Sequence, residues 1–316
     1  MTAAASAADL DRAAAMLAAA RRVLVTGLVG ALPEAAAAAC DVAEAVAAAV
    51  DPGSPETSRT IGPLLARIGS VTADTGELRD RADLVVFWFC DPGPSAGELV
   101  AAGAAPGPAD AARRTIAVGP RDVAVPRADH RHLALATDAA VDLARVVEAA
   151  IRDLPIDELA ADSHVLAAAR ELASAAMTAT TVALVTDWRH DGVGLAAWST
   201  ASLVRALAHR KPAFEVPLGE RGDAAIDVCT WRFGAAGAIA RADRDGGRFL
   251  PAEADAVRLL DRREVDCVMV AGVATPEVEA AVTRAAGDVA VVRLPADATA
   301  LRQVAARIGA RREPPA

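Results

Sequence analysis

Residues Asp83–Cys90 read DLVVFWFC, six apolar side chains in a row between an aspartate and a cysteine. Nothing in the run alternates, so neither face of this strand can look onto water; it must be covered on both sides, as in a parallel sheet layered with helices. The strand stops abruptly at Asp91-Pro92-Gly93-Pro94, a cluster that neither helix nor sheet accommodates.

Working outward, the same rhythm recurs. Arg22–Gly27 is a short strand closing on glycine, followed by a helix from Leu32 to about Val50 with Pro33 and Glu34 in its first turn, where both are favourable. Short helices are expected at Leu64–Ile68 and Thr75–Arg81, strands at Arg114–Val118 and His132–Leu135, and a helix over Asp138–Arg152. Ala101–Ala112 reads as a loop. Past Asp153–Asp162, helices at Ser163–Met177, Leu195–His209, Ala252–Arg262 and Thr275–Ala286 alternate with strands at Thr181–Thr186, Ala213–Val216, Val265–Val270 and Asp288–Leu294. Only a short helical segment is expected after Leu294. Alternating strands and helices specify an α/β fold, here two Rossmann-like parallel-sheet domains. Pro155 and the acids around it place the expected boundary between residues 1–155 and 156–316, the second domain carrying a long ordered loop at 219–251.

Composition narrows the chemistry. The chain has 316 residues, 53% of them hydrophobic, and 33 basic against 42 acidic side chains give a net charge of −9. Without a basic tract it is a poor partner for a phosphate backbone, so nucleic acid is not expected. Tyr and Asn are absent and Lys211 is the only lysine, which excludes a tyrosine acid, an asparagine oxyanion donor, or a Schiff base elsewhere than Lys211. The four cysteines, Cys40, Cys90, Cys229 and Cys267, form no C-x-x-C pair, against a compact zinc or iron–sulfur site. Residues 1–20 lack the basic-then-apolar pattern of a signal peptide, and no run approaches the ~18 apolar residues of a membrane helix. A cytoplasmic protein with no membrane partner is expected.

Ligands of open α/β sheets bind beyond the carboxyl ends of strands, which directs attention to four segments. Gly27-Leu28-Val29-Gly30 has G-x-x-G spacing, a weak dinucleotide signal beside its reading as a tight turn. Cys90-Asp91 pairs a thiol with a carboxylate, which disfavours a thiolate, and equally fits a buried cysteine before a turn. Asp187–Gly194 (DWRHDGVG) precedes a helix whose amides, with Arg189 and His190, could meet an anion, or it is a solvated charged loop. The fourth, Cys229–Asp243, packs Trp231, Phe233, Arg232, Arg241, Gly234 and Gly237 into a stretch read as irregular. Its arginines are candidate carboxylate or phosphate ligands, and Trp231 and Phe233 are alternatively plugs of a domain junction. His130 and His132 share one face with Asp129 nearby, two ligands at best. Ser199-Thr200 has no nucleophile elbow around it, and there is no phosphate-binding P-loop.

The stretch Cys229-Thr230-Trp231-Arg232-Phe233-Gly234, the run from Arg241 to Val270, the strand Ala82–Pro92 and the opening Arg21–Leu28 together resemble the B-type subunits of formylmethanofuran dehydrogenases. The resemblance is to the short form of that family, found in the formyltransferase/hydrolase complex, and it runs in segments from about residue 20 to residue 295. It implies a fold like the core of molybdopterin oxidoreductases, whose larger members bind a tungsto- or molybdopterin guanine dinucleotide and a 4Fe–4S cluster and reduce CO₂ to formate. This chain departs from them: residues 1–20 hold no cysteine, and Asp51–Gly69, where relatives carry a metal-ligating Cys with a neighbouring His, offers Thr57, Ser58 and Arg59. The metal pterin needs a soft anchor and an electron path.

The resemblance therefore implies a degenerate redox subunit with no catalytic residues, no metal and no cofactor. Arg189, Cys229, Trp231, Arg232, Gly234 and Arg241 would line a vestigial cleft. Its partners would be the zinc amidohydrolase and the two transferase subunits of a complex in one-carbon metabolism. That complex moves a formyl group from tetrahydromethanopterin to a methanofuran-type carrier and hydrolyses it to formate. The alternative is a small-molecule binding protein or enzyme that uses the vacated cleft for a nucleotide- or pterin-like anion, with Arg189, Arg232 and Arg241 as ligands.

Overall fold

The computed structural model describes residues 5–53, 62–90, 97–107, 113–159, 161–187, 194–218, 224–242, 247–251 and 253–312. The chain divides into two compact units. Unit 1 comprises Met1–Arg67 and Glu220–Ala316, and unit 2 comprises Ile68–Gly219.

Unit 1 opens with α1 (Ala7–Ala19), started by a capping box in which Ser6 and Asp9 satisfy one another's backbone amides. β1 (Val23–Leu28) is buried along its whole length. α2 (Pro33–Val46) follows, and a two-residue strand β2 (Ala49–Val50) lies where the sequence suggested continuing helix. The helix ends at Ala47, whose left-handed backbone (φ 52°) turns the chain. The short α3 (Gly62–Ile68) closes this first segment.

Unit 2 holds α4 (Thr75–Arg81), β3 (Leu84–Trp88), α5 (Gly97–Ala104), β4 (Arg114–Gly119), β5 (His130–Ala134), α6 (Ala140–Ile151), α7 (Ser163–Thr178), β6 (Val182–Thr186), α8 (Leu195–Ala208) and β7 (Ala213–Pro217). The parallel sheet runs β5-β4-β3-β6-β7. β3 sits at its centre, buried at all five positions as its apolar run requires. Val85 and Phe87 pack with Leu78, Leu99 and Ala102 of α4 and α5 on one face. α5 occupies part of the segment read as an Ala/Gly/Pro loop.

The chain then returns to unit 1 with α9 (Ala224–Phe233), α10 (Ala256–Asp261), β8 (Cys267–Val273), α11 (Pro276–Ala285), β9 (Ala290–Leu294) and α12 (Ala298–Arg312). The sheet order is β2-β1-β8-β9, all parallel, with Val23 opposite Cys267. α12 is a full 15-residue helix and not a short segment. Its Leu301, Val304 and Ile308 are buried in one core with α2, where Ala36, Ala38, Ala39 and Ala43 let the helices approach closely.

The expected boundary at 155/156 falls inside unit 2, where α6 packs against α7 and Pro155 merely turns the chain between them. The sequence misleads here because unit 1 is discontinuous: its β1 finds its neighbour β8 only after the whole of unit 2. Two Rossmann-like parallel sheets in an α/β fold are nonetheless what the structure contains.

Buried guanidinium chemistry ties the helices of unit 2 together. Arg113 is fully buried and donates to the carbonyls of Leu78, Arg79 and Ala82 at the end of α4 and of Ala102 and Ala105 at the end of α5. They lie at helix ends, where backbone carbonyls run short of amide partners.

Candidate functional site

The segment singled out as Cys229–Asp243 is helical over its first part. α9 lies on α2, and its side chains sort by helical position. Cys229 and Phe233, four residues apart, are buried in the unit 1 core. The Cys229 Sγ stands 4.0 Å from the Cys40 Sγ of α2, and Cys40 and burial together push its thiol up, far from the thiolate form.

Arg232 points at α2. Its Nε donates to Glu44 Oε1 at 2.7 Å, and its Nη2 to Glu44 Oε2 at 2.9 Å and to Asp41 Oδ1 at 2.7 Å. Glu44 foremost, then Asp41, hold the guanidinium's pKa above its ordinary value against the cost of burial. Arg232, one of the three arginines expected to receive a ligand anion, is thus engaged by two carboxylates of its own chain. Asp41 and Glu44 escaped the sequence reading, although their i, i+3 spacing beside Cys40 puts both on one helical face.

Of the two aromatics assigned to a domain junction, Trp231 is 81% exposed and Phe233 is buried in the unit 1 core. Gly234 ends α9 with φ +75°, its N–H donating to the Thr230 carbonyl at 2.9 Å, so its role is a helix stop. The Arg241 side chain is exposed. Arg189 lies outside the described residues, with Trp188–Val193, as do Asp91 and Pro92, Thr57–Arg59, and Asp243.

Beyond Gly234 the chain is stitched to the edge of sheet β2-β1-β8-β9. Ile239 bridges Val50 and Phe249 in antiparallel fashion. Asp51, fully buried at the end of β2, accepts the Ala238 N–H at 3.0 Å and the Ala256 N–H at 2.7 Å, fixing this segment and the start of α10. A groove of about 780 Å³ remains beside the clamp, lined by Asp41, Glu44, Ala45, Arg232, Ala305, Ala306 and Gly309.

At the carboxyl ends of the strands, Gly27 is required: with φ +81°, a Cβ there would stand 2.6 Å from Val270 Cγ1. The first glycine of G-x-x-G therefore sits where β1 runs tight against its parallel neighbour β8, at an irregularity between Thr26 and Leu28. In unit 2 the strand order reverses between β3 and β6. There Trp88 is buried with Nε1 unpartnered among the described residues, Phe89 takes φ +46°, and Cys90 is buried. Buried Glu215 of β7 accepts from Thr186 Oγ1 at 2.5 Å and Ser70 Oγ at 3.2 Å.

His130 contacts Thr115 Oγ1 through Nδ1 at 2.9 Å and Asp122 Oδ1 through Nε2 at 2.8 Å. The order hydroxyl–imidazole–carboxylate is that of an activated nucleophile, but Thr115 is fully buried and no substrate carbonyl can reach it. His132 bonds the Gly119 carbonyl, and Asp129 pairs with Arg127 instead of either histidine. Lys211 donates to the carbonyls of Met177 and Ala179 at the end of α7. Among the described residues no three His, Cys, Asp or Glu side chains converge as a metal site would need, and no helix is long and apolar enough to cross a membrane.

A scan against protein-family models and a search of curated proteins return no match. Among solved structures, the chain is similar to one chain of the X-ray crystal structure of the formyltransferase/hydrolase complex (FhcABCD) from Methylorubrum extorquens in complex with methylofuran. The identity is 24%, the match covers 93% of this chain and 79% of that one, and the TM-score is 0.64. The likeness is one of fold, and it extends over both units.

Proposed function

We propose that this chain is a non-catalytic subunit of a formyltransferase/hydrolase complex, in the position of its B-type component, acting in one-carbon metabolism beside the zinc amidohydrolase and the two transferase subunits. The observation that carries the reading is the fold likeness over 93% of the chain to a component of such a complex. The segments of family resemblance, β1, β3 and the run from Cys229 to Val270, all serve that shared fold. Arg232 and Asp51 anchor the last of them to α2 and β2.

Three of the residues assigned to a pterin crevice are engaged otherwise, which supports the reading without a cofactor. Arg232 is clamped by carboxylates, Cys229 is buried as a protonated thiol against Cys40, and Gly234 stops a helix. The same clamp engages Arg232, one of the three arginines that the alternative, an anion-binding protein, would use.

Co-expression with the amidohydrolase and transferase subunits tests the proposal. The expected result is a stable complex that contains this chain, with no tungsten, molybdenum or iron stoichiometric with it. A chain that stays alone on size exclusion, or carries one tungsten or molybdenum per copy, overturns it. A thermal shift of several degrees with guanine nucleotides or pterins would instead favour the binding protein.

A further inference from the structure

We propose that Cys40 and Cys229 form a reversible disulfide that locks the two chain segments of unit 1 to each other. Cys40 belongs to the segment before unit 2 and Cys229 to the segment after it. Apart from β-sheet pairing, unit 1 is held across that excursion by side-chain packing, by the Arg232 clamp and by the carboxylates of Asp51 and Asp266 on backbone amides of the other segment.

The two sulfurs are 4.0 Å apart, so closing the bond to about 2.0 Å needs a sulfur displacement of roughly 2 Å in all. Their helices are already held in register by Arg232 on Asp41 and Glu44, each within about one turn of the cysteines. All four cysteines are free thiols, and among the described residues this pair makes the one sulfur–sulfur contact.

The oxidant is a small diffusible disulfide. One protein thiol loses its proton and attacks a reagent sulfur; the reagent S–S bond breaks, giving a mixed disulfide, and the departing thiolate takes up a proton. The second protein thiol, deprotonated in turn, displaces the remaining reagent half. Two protein thiols are oxidised, and one reagent disulfide is reduced to two thiols. Both sulfurs are fully buried. Exchange therefore requires α9 to lift from α2, so it is slow in native buffer and faster in sub-denaturing urea.

The experiment incubates the full chain with hydroxyethyl disulfide, with and without low urea, and follows it by non-reducing peptide mapping and thermal melting. The expected product is a single Cys40–Cys229 cross-link with Cys90 and Cys267 still titratable. It should raise the melting midpoint by roughly 5–10 °C and be reversed by dithiothreitol. Cys40→Ser abolishes the cross-link and the shift, whereas Cys90→Ser and Cys267→Ser keep both. Should Cys40→Ser fail to fold, the maps of the wild-type and the other two variants decide. A different pairing, no cross-link after urea-assisted opening, or a cross-link without a rise in midpoint overturns the proposal.

Discussion

Arg232 of α9 takes both carboxylate oxygens of Glu44 on α2, at 2.7 and 2.9 Å, in a two-pronged clamp that a lysine could not reproduce. Glu44 is only 13% exposed, so removing its partner leaves a poorly hydrated charge. Arg232→Ala should lower the unfolding free energy by about 2 kcal/mol, read as a shift in urea midpoint. Trp231→Ala next to it should stay within about 0.5 kcal/mol. Equal effects of the two would contradict the clamp.

Asp51 faces two backbone amides that have no water to turn to. Asp51→Ala should cost about 2–4 kcal/mol, and Asp51→Asn less, since its amide oxygen still accepts one bond. Hydrogen exchange at Ala238 and Ala256 reads this directly: both amides should lose protection in the alanine variant.

Arg113 in unit 2 serves carbonyls from two helix ends at once. Its burial lowers its pKa, yet the side chain remains a cation at neutral pH because arginine starts so high. Arg113→Lys, with three donors and no fork, should lose about 2 kcal/mol, and Arg113→Met more, because all five carbonyls then lose the guanidinium as a donor. Denaturant melts that rank lysine at wild-type level would refute the assignment.

Glycines 27 and 30 separate backbone strain from crowding. Both have positive φ, but only Gly27 has a neighbour where a Cβ would go. Gly30→Ala should cost about 1 kcal/mol and Gly27→Ala clearly more. Adding Val270→Ala should restore part of the second loss and none of the first, which a thermal-melt double-mutant cycle would show.

Asp266 is the clearest source of pH dependence. Partial burial raises its pKa, but the N–H groups of Arg21 and Arg22, at 3.0 and 2.9 Å, outweigh that and hold it below the ordinary aspartate value. A carboxylate whose folded pKa is depressed stabilises the fold above its unfolded value, and the benefit disappears as pH falls through the folded one. Wild type should therefore melt higher than Asp266→Asn near neutral pH, with the gap closing as the pH falls through the depressed folded value of the aspartate. A gap that is constant with pH would remove Asp266 from the account.

Strands were legible wherever a run is apolar throughout. Asp83–Cys90 is the best case, and β4, β6 and β7 follow with boundaries off by a residue or two. α9 was not, because Trp231, Arg232 and Gly234 make a local composition that reads as loop; its helical pattern emerges only once Cys229 and Phe233 are known to be core. β2 is two residues long, too short for any period. The domain division failed for a different reason: local composition marks turns, whereas unit 1 is defined by pairing between β1 and β8, which no window of sequence contains. The clamp was invisible in the same way, since Arg232 lies almost 190 positions from Glu44.

The return of the chain to its first sheet bears on how it is made. β1 leaves the ribosome about 240 residues ahead of β8, its partner at Val23–Cys267. At roughly 5–20 residues per second, that is a delay on the order of ten to fifty seconds. Every residue of unit 2 is synthesised within this interval, so unit 2 can complete its fold while the β8-facing edge of an apolar strand stays open. The nascent segment that carries β1 thus keeps an apolar strand edge for a chaperone to cover until β8 emerges.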